Sequence, residues 1–285
     1  MLLRLLRSAA TIRAVKSWAK HPLRVTGRLL WLGGELVLAA VNYARWCAFC
    51  SPAAQPMARS RWLQKSSRRV LRIFGTKTSV LGAIPRSGLL VCNHLSYLDV
   101  LVLAALTPSR FVAKSEVKSW PVFGWFARLA GTIFVDRNKR FQAAHSAQEL
   151  ASALGEGTLV ILFPEGTSSG GETVLSFKSS LLEPTARNAH VLTAGSISYE
   201  LDDGDVSEEV CYWKDMTLVP HLINLLSKRR VHAELHFAQT PQQTTNRKIL
   251  ARQLHSQVLH LKTAIHHSLG RQRICRQAEK ALSHA

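Results

Sequence analysis

The chain has 285 residues, enough for one substantial domain with appendages but too few to demand a second core. Its 47% hydrophobic content excludes a disordered polymer, and five irregularly spaced cysteines do not make a disulfide framework, which favours a reducing compartment. A formal charge of +19 points to a polyanionic partner, and composition alone leaves nucleic acid and an anionic membrane surface both open.

The charge is unevenly placed. Residues 1–80 carry fifteen Lys/Arg against the single acid Glu35, residues 81–240 carry fourteen against sixteen acids, and residues 241–285 carry eight against one. This divides the chain into a basic, apolar N-terminal region (1–80) expected to associate with membrane, a nearly neutral central domain (81–240), and a basic helical tail (241–285). Against lipid, each surface Lys or Arg contributes roughly 1 kcal/mol. No clean secretory leader is expected at the N-terminus, because Arg4 and Arg7 interrupt its apolar run.

Within residues 1–80 the longest stretch without Lys or Arg lies between Arg28 and Arg45, sixteen residues that include Glu35, Gly33 and Gly34. A perpendicular crossing needs about 20 apolar residues, and both flanks are basic. The stretch is therefore expected to be re-entrant or interfacial rather than a single span. Cys47 and Cys50 form a lone C-x-x-C with no second pair, so they are expected to be ordinary thiols. Residues 58–74 have helical spacing that sets Trp62, Leu63, Val70, Ile73 and Phe74 opposite Arg61, Lys65, Arg68, Arg69 and Arg72. This pattern fits a helix lying in the headgroup region, the alternative being a helix packed on the domain with a solvated basic face.

From residue 81 short apolar runs recur at 89–92, 110–113, 132–135, 159–163, 190–193 and 231–237. They alternate with helical segments at 98–106, 141–154 and 216–226. The alternation predicts an α/β fold with a mixed sheet flanked by helices. A further helical stripe, Leu250, Leu254, Val258, Leu261 and Ile265, is expected to pack on the domain or the membrane. Ligands in such folds sit just beyond strand ends, where three polar segments stand out.

Asn93 and His94 follow the first run, with Asp99 five residues after the histidine. Asp99 in the first turn of the next helix could hold one imidazole nitrogen and leave the other to take a proton from a hydroxyl. Ser96 and Asp99 also match a capping box, which is the structural alternative. Phe163, Pro164, Glu165, Gly166 and Thr167 form a turn after another strand, able to offer backbone N–H groups and hydroxyls to an anion. Arg137 closes the run GTIFVDR at 131–137 and could hold a phosphate bidentately, or pair with Asp136 on the surface.

Together, in this order and spacing, N-H-x4-D at 93–99, GTIFVDR at 131–137 and FPEG at 163–166 resemble the glycerolipid acyltransferase family, of 1-acylglycerol-3-phosphate acyltransferase type. The sequences around Lys114 and around Trp120 and Pro121 agree. The resemblance spans roughly residues 58–230. It implies His94 as general base and Asp99 as its orienting acid. Asn93, Lys114, Arg137, Pro164, Glu165, Gly166 and Thr167 would bind substrate. The implied donor is an acyl thioester on coenzyme A or acyl carrier protein, attacked directly, with no cofactor and no metal. The implied acceptor is a lysophospholipid, 1-acylglycerol-3-phosphate first, giving phosphatidic acid.

The segment from Trp213 to His221 looks like one found in bacterial members that acylate lyso-ornithine lipid, which supplies an alternative acceptor. The chain departs from the family's Pro-containing fourth motif, reading HVLTAGSISY at 190–199. Anionic membrane lipids are the expected partner surface, on the cytoplasmic face of the inner or cell membrane. The alternative of another class is a basic nucleic-acid- or lipid-binding protein without catalysis; the nucleic-acid role finds no recognisable module among the basic residues, and His94, Asp99 and Arg137 argue against a lipid binder without chemistry.

Overall fold

The computed structural model describes residues 20–136, 140–187, 190–241 and 244–282. The chain runs through α1 (Pro22–Trp46), α2 (Gln55–Phe74), β1 (Thr76–Leu81), β2 (Leu89–Cys92), α3 (Leu98–Leu106) and β3 (Arg110–Lys114). It continues with α4 (Phe123–Leu129), β4 (Ile133–Val135), α5 (Arg140–Gly155), β5 (Val160–Leu162) and α6 (Glu183–Arg187). The last elements are β6 (Leu192–Leu201), α7 (Val206–Glu209), α8 (Leu218–Ser227), β7 (Val231–Thr240) and α9 (Arg247–Leu282).

The strands form one sheet in the order β1-β7-β6-β2-β5-β3-β4. Neighbours are parallel except β6 and β7, which pair antiparallel over their full lengths. Both faces of β2 are covered, so its residues are buried without exception. Leu90 and Cys92 point into a core with Ile161, Phe74 and Val102, under α2 and α3. Leu89 and Val91 point the other way, to Leu162, Leu154 and Leu250 under α5 and α9. This is the period-2 alternation of a strand sandwiched between helical layers.

Three expectations change. The apolar side of 58–74 is turned into the domain rather than to lipid: Leu71, Ile73 and Phe74 are buried in the core under the sheet, Trp62 is buried against α1 and α4, and Arg61, Lys65, Arg68 and Arg72 lie outward. The sheet face needs this cover, and the basic side also makes contacts of its own. Arg68 Nε donates to the Ala105 carbonyl at 2.7 Å, and Arg69 pairs with buried Glu35 of α1 at 2.6 Å.

The expected boundary at residue 80 falls inside the sheet, because β1 pairs with β7 from Thr76 to Leu81. Of the two surfaces expected for the C-terminal stripe the structure takes the domain: Leu250, Leu254, Val258 and Leu261 of α9 are buried against it. The packed domain thus reaches from α1, on one face of the sheet, to the first half of α9, on the other. Finally, β6 extends to Leu201, well past the expected 190–193, and carries Ser196, Ser198 and Tyr199 in its buried stretch.

The helix α1 spans the apolar stretch expected to be re-entrant or interfacial. It leaves Leu23, Leu30, Trp31, Val37, Leu38 and Val41 exposed. Among the described residues no helix is long and apolar enough to cross a membrane.

Candidate active site

The parallel strands β2, β5, β3 and β4 end along one edge, and the polar segments singled out in the sequence follow directly from those ends. His94 leaves β2 and stacks on Phe163, which leaves β5, with ring centroids 4.2 Å apart and planes 15° from parallel. Its backbone is clamped on both sides. The His94 N–H donates to Glu165 Oε1 at 2.8 Å, and its carbonyl accepts from the Ser169 N–H at 3.0 Å.

Asp99 opens α3 and is wholly buried. Its Oδ2 lies 2.7 Å from His94 Nδ1 and accepts from the N–H groups of Leu95 (2.6 Å) and Ser96 (3.0 Å). A carboxylate is an acceptor only, so Nδ1 carries the proton. That leaves Nε2 as the ring nitrogen able to accept one. The two readings of this segment prove compatible. The Asp99 carboxylate does reach back to the Ser96 N–H as in a capping box, while the Ser96 hydroxyl makes no cap. The same carboxylate holds the imidazole.

Beside His94 lies a pocket of about 430 Å³ whose lining includes Lys114 from the end of β3, Gly166, Thr167, Tyr212, Trp213 and Lys214. Gly166 occupies the left-handed region at φ 70°, which lets the chain turn sharply after Glu165. Lys214 Nζ sits 3.8 Å from the centre of the Trp213 ring, so two ammonium groups, 114 and 214, border the pocket.

Other expected binding residues face elsewhere. Asn93 is buried, and its amide is spent on β6: Nδ2 donates to the Ile197 carbonyl at 3.0 Å, and Oδ1 accepts from the Ile197 N–H at 2.8 Å. Glu165 is also buried, and both its oxygens are occupied, Oε1 by the His94 N–H and Oε2 by the Leu175 N–H at 2.9 Å. Burial pushes its carboxyl above the usual carboxylate range, against the pull of those two donors. Pro164 is buried in the same turn. These residues build the site rather than line it. Arg137 lies outside the described residues.

Sequence reasoning missed Tyr199, whose hydroxyl donates to Asp99 Oδ1 at 2.6 Å. It also missed a second cavity of about 700 Å³, almost wholly apolar, between α1, α2, residues 121–126 and the start of α8. Tyr97 borders both spaces. Its hydroxyl meets His221 Nδ1 at 3.0 Å, and His221 Nε2 faces the Cys211 carbonyl at 3.0 Å. The carbonyl can only accept, so Nε2 carries the proton of the neutral ring and the Tyr97 hydroxyl is the donor to Nδ1. The cavity escapes a linear reading because its walls come from segments nearly two hundred residues apart.

A family model described as Acyltransferase matches residues 77–197. The chain is 36% identical over 209 residues to lyso-ornithine lipid O-acyltransferase of Brucella abortus, covering 67% of this chain and 78% of that one. The chain belongs to the glycerolipid acyltransferase family. The matching enzyme of Rhizobium meliloti, also a lyso-ornithine lipid O-acyltransferase, is 34% identical over 194 residues, which span 63% of this acyltransferase and 66% of the relative's length. The fold of this acyltransferase is that of the 1-acyl-sn-glycerophosphate acyltransferase PlsC of Thermotoga maritima. The TM-score is 0.64 at 17% identity, covering 87% of this chain and 97% of that one.

Proposed function

We propose that this acyltransferase moves a fatty acyl group from a thioester of coenzyme A or acyl carrier protein to the free hydroxyl of a lyso-lipid, with His94 as general base. The observation that carries the reading is the buried Asp99 carboxylate 2.7 Å from His94 Nδ1, at the rim of a pocket bordered by lysines. His94 Nε2 takes the hydroxyl proton as the oxygen attacks the thioester carbonyl. The tetrahedral intermediate then collapses, the C–S bond breaks, and the imidazolium returns the proton to the departing thiolate. Asp99 stabilises the imidazolium between the two steps. The lysines at 114 and 214 attract the anionic part of the acceptor. Gly166 and Thr167 shape the turn it meets, and Arg137, two residues past β4, adds the bidentate contact implied by the resemblance.

Lyso-ornithine lipid is the acceptor we favour, since the relatives from Brucella abortus and Rhizobium meliloti carry that activity in their names. The second reading, 1-acylglycerol-3-phosphate, is supported by the motif resemblance. The volume of the apolar cavity suits an acyl chain, and its shared wall at Tyr97 would bring the chain's carboxyl end toward His94. The test offers purified membranes both lyso-lipids with one acyl donor and follows the products by mass spectrometry. Preferential formation of acylated ornithine lipid is expected. No product from either acceptor would refute the proposal. With acyl donors of several chain lengths in competition, Leu101→Trp, which fills the apolar cavity, is expected to shift preference to shorter chains, and an unchanged profile would remove the cavity from the reading.

The exposed stripe of α1, continued by Trp46 and by Phe49 at 90% exposure, supports a membrane-associating role for the N-terminal region. Leu23, Leu30, Val37 and Val41 lie within about 40° of one another at 100° per residue, flanked by Trp31 and Leu38. Such a face enters a leaflet from one side, with the basic residues of the chain ends drawn to anionic headgroups on the cytoplasmic face. Trp31→Glu combined with Phe49→Glu is expected to abolish co-sedimentation with phosphatidylglycerol vesicles while leaving the fold intact, because both side chains are exposed. Undiminished sedimentation would sink this part.

A further inference from the structure

We propose that Tyr199 is a positioning residue for acyl transfer, its phenol holding the Asp99 carboxylate in the orientation that serves His94. The inference deepens the general-base reading above and rests on it. Asp99 Oδ2 has three protein donors, His94 Nδ1 and the N–H groups of Leu95 and Ser96. Oδ1 has the Tyr199 hydroxyl at 2.6 Å. The carboxylate has no solvent exposure and Tyr199 has 6%, so water is poorly placed to replace that donor.

The placement of Tyr199 is built in from the other side. Asn93, the residue before the histidine, locks onto the Ile197 backbone with two hydrogen bonds. That clasp fixes the register of β6 against the catalytic turn. Tyr199 stands two residues further along, on the same face of the strand as Ile197, and both join the same core. The Asn-His pair and the tyrosine are thus parts of one frame, although more than a hundred residues separate them.

The chemistry follows from what the carboxylate faces. His94 approaches from the turn after β2, Cys92 from β2, Glu165 from the loop after β5, Cys211 from the segment after α7, and Tyr199 from β6. Burial raises both thiols, that of Cys211 to about 12, so neither supplies a competing thiolate at neutral pH. Burial and the adjacent Asp99 likewise hold the Tyr199 phenol protonated, as a donor requires. A donor to a carboxylate favours its ionised form. Without it the buried oxygen loses its partner, and the His94–Asp99 pair binds its shared proton more tightly. A base that holds a proton more tightly is out of action over a wider acidic range.

Tyr199→Phe keeps the ring and removes the hydroxyl. We expect kcat to fall about tenfold or more, the scale for a hydrogen bond to a charged group, with KM for both substrates unchanged. The acid limb of the kcat/KM profile is expected to move to higher pH. In an Asp99→Asn background, measured by single turnover, the same substitution should add no further loss, because Tyr199 acts through the carboxylate. Should Tyr199→Phe fail to fold, 3-fluorotyrosine at position 199, a stronger donor, should move the acid limb to lower pH.

An unmoved limb with wild-type kcat would overturn the proposal, as would an equal loss in both backgrounds. The general-base reading fails separately, if His94→Ala retains activity. An inactive His94→Ala beside an unaffected Tyr199→Phe sinks the tyrosine alone.

Discussion

Replacing His94 with alanine is expected to lower the acyl-transfer rate by about 10²- to 10⁴-fold, the range that a positioned general base contributes. The loss should fall on kcat. His94 is anchored through its backbone to Glu165 and Ser169, so the turn keeps its course when the ring is removed. Lys114 and the Gly166 turn stay where they are, and acceptor binding should persist with KM little changed. The ring does contribute packing against Phe163, so melting temperature must be followed alongside. A folded His94→Ala protein that turns over like the wild type in detergent-solubilised membranes would end the general-base reading.

The second large effect is expected from Asp99→Asn. The amide oxygen can take the Oδ2 position, where it still accepts from the Leu95 and Ser96 N–H groups and from His94 Nδ1, and the amide nitrogen then meets the Tyr199 oxygen. Geometry therefore survives and the negative charge is what disappears. That charge matters only after the proton transfer, when the ring is an imidazolium. A unit charge pair at contact distance and an effective dielectric near 20 is worth about 4 kcal/mol. Kcat should then fall on the order of 10³-fold with little change in stability or KM. Retention of a third or more of the wild-type kcat would show that the carboxylate is only a cap for α3.

The pair of residues at the centre of these predictions was legible in sequence, because His94 and Asp99 sit within one turn of chain and their meeting is a local matter. The surrounding residues divide differently from that reading, for a physical reason. Asn93 and Glu165 stand in the same motifs, and a linear reading gives them the same kind of role. Their amide and carboxyl groups are instead consumed by backbone donors and acceptors on distant strands. Nothing in spacing tells a polar side chain aimed at a substrate from one that ties a neighbouring segment in place. The same ambiguity affected α2: its Trp and Phe face fits a membrane leaflet and a protein core equally well, and only the sheet beneath Phe74 and the helices α1 and α4 around Trp62 decide between them.

The amino-acid order by itself determined the α/β alternation, the strand ends that carry polar residues, and the proximity of His94 to Asp99. These follow from local periodicity and from steric limits within a few residues. Only the folded chain decided that β1 joins the edge of the sheet and α9 covers one of its faces, that Tyr199 completes the carboxylate's shell, and that a large apolar cavity lies behind Tyr97. Each of those depends on contacts between segments far apart in sequence, set when burying apolar faces fixes which strands become neighbours.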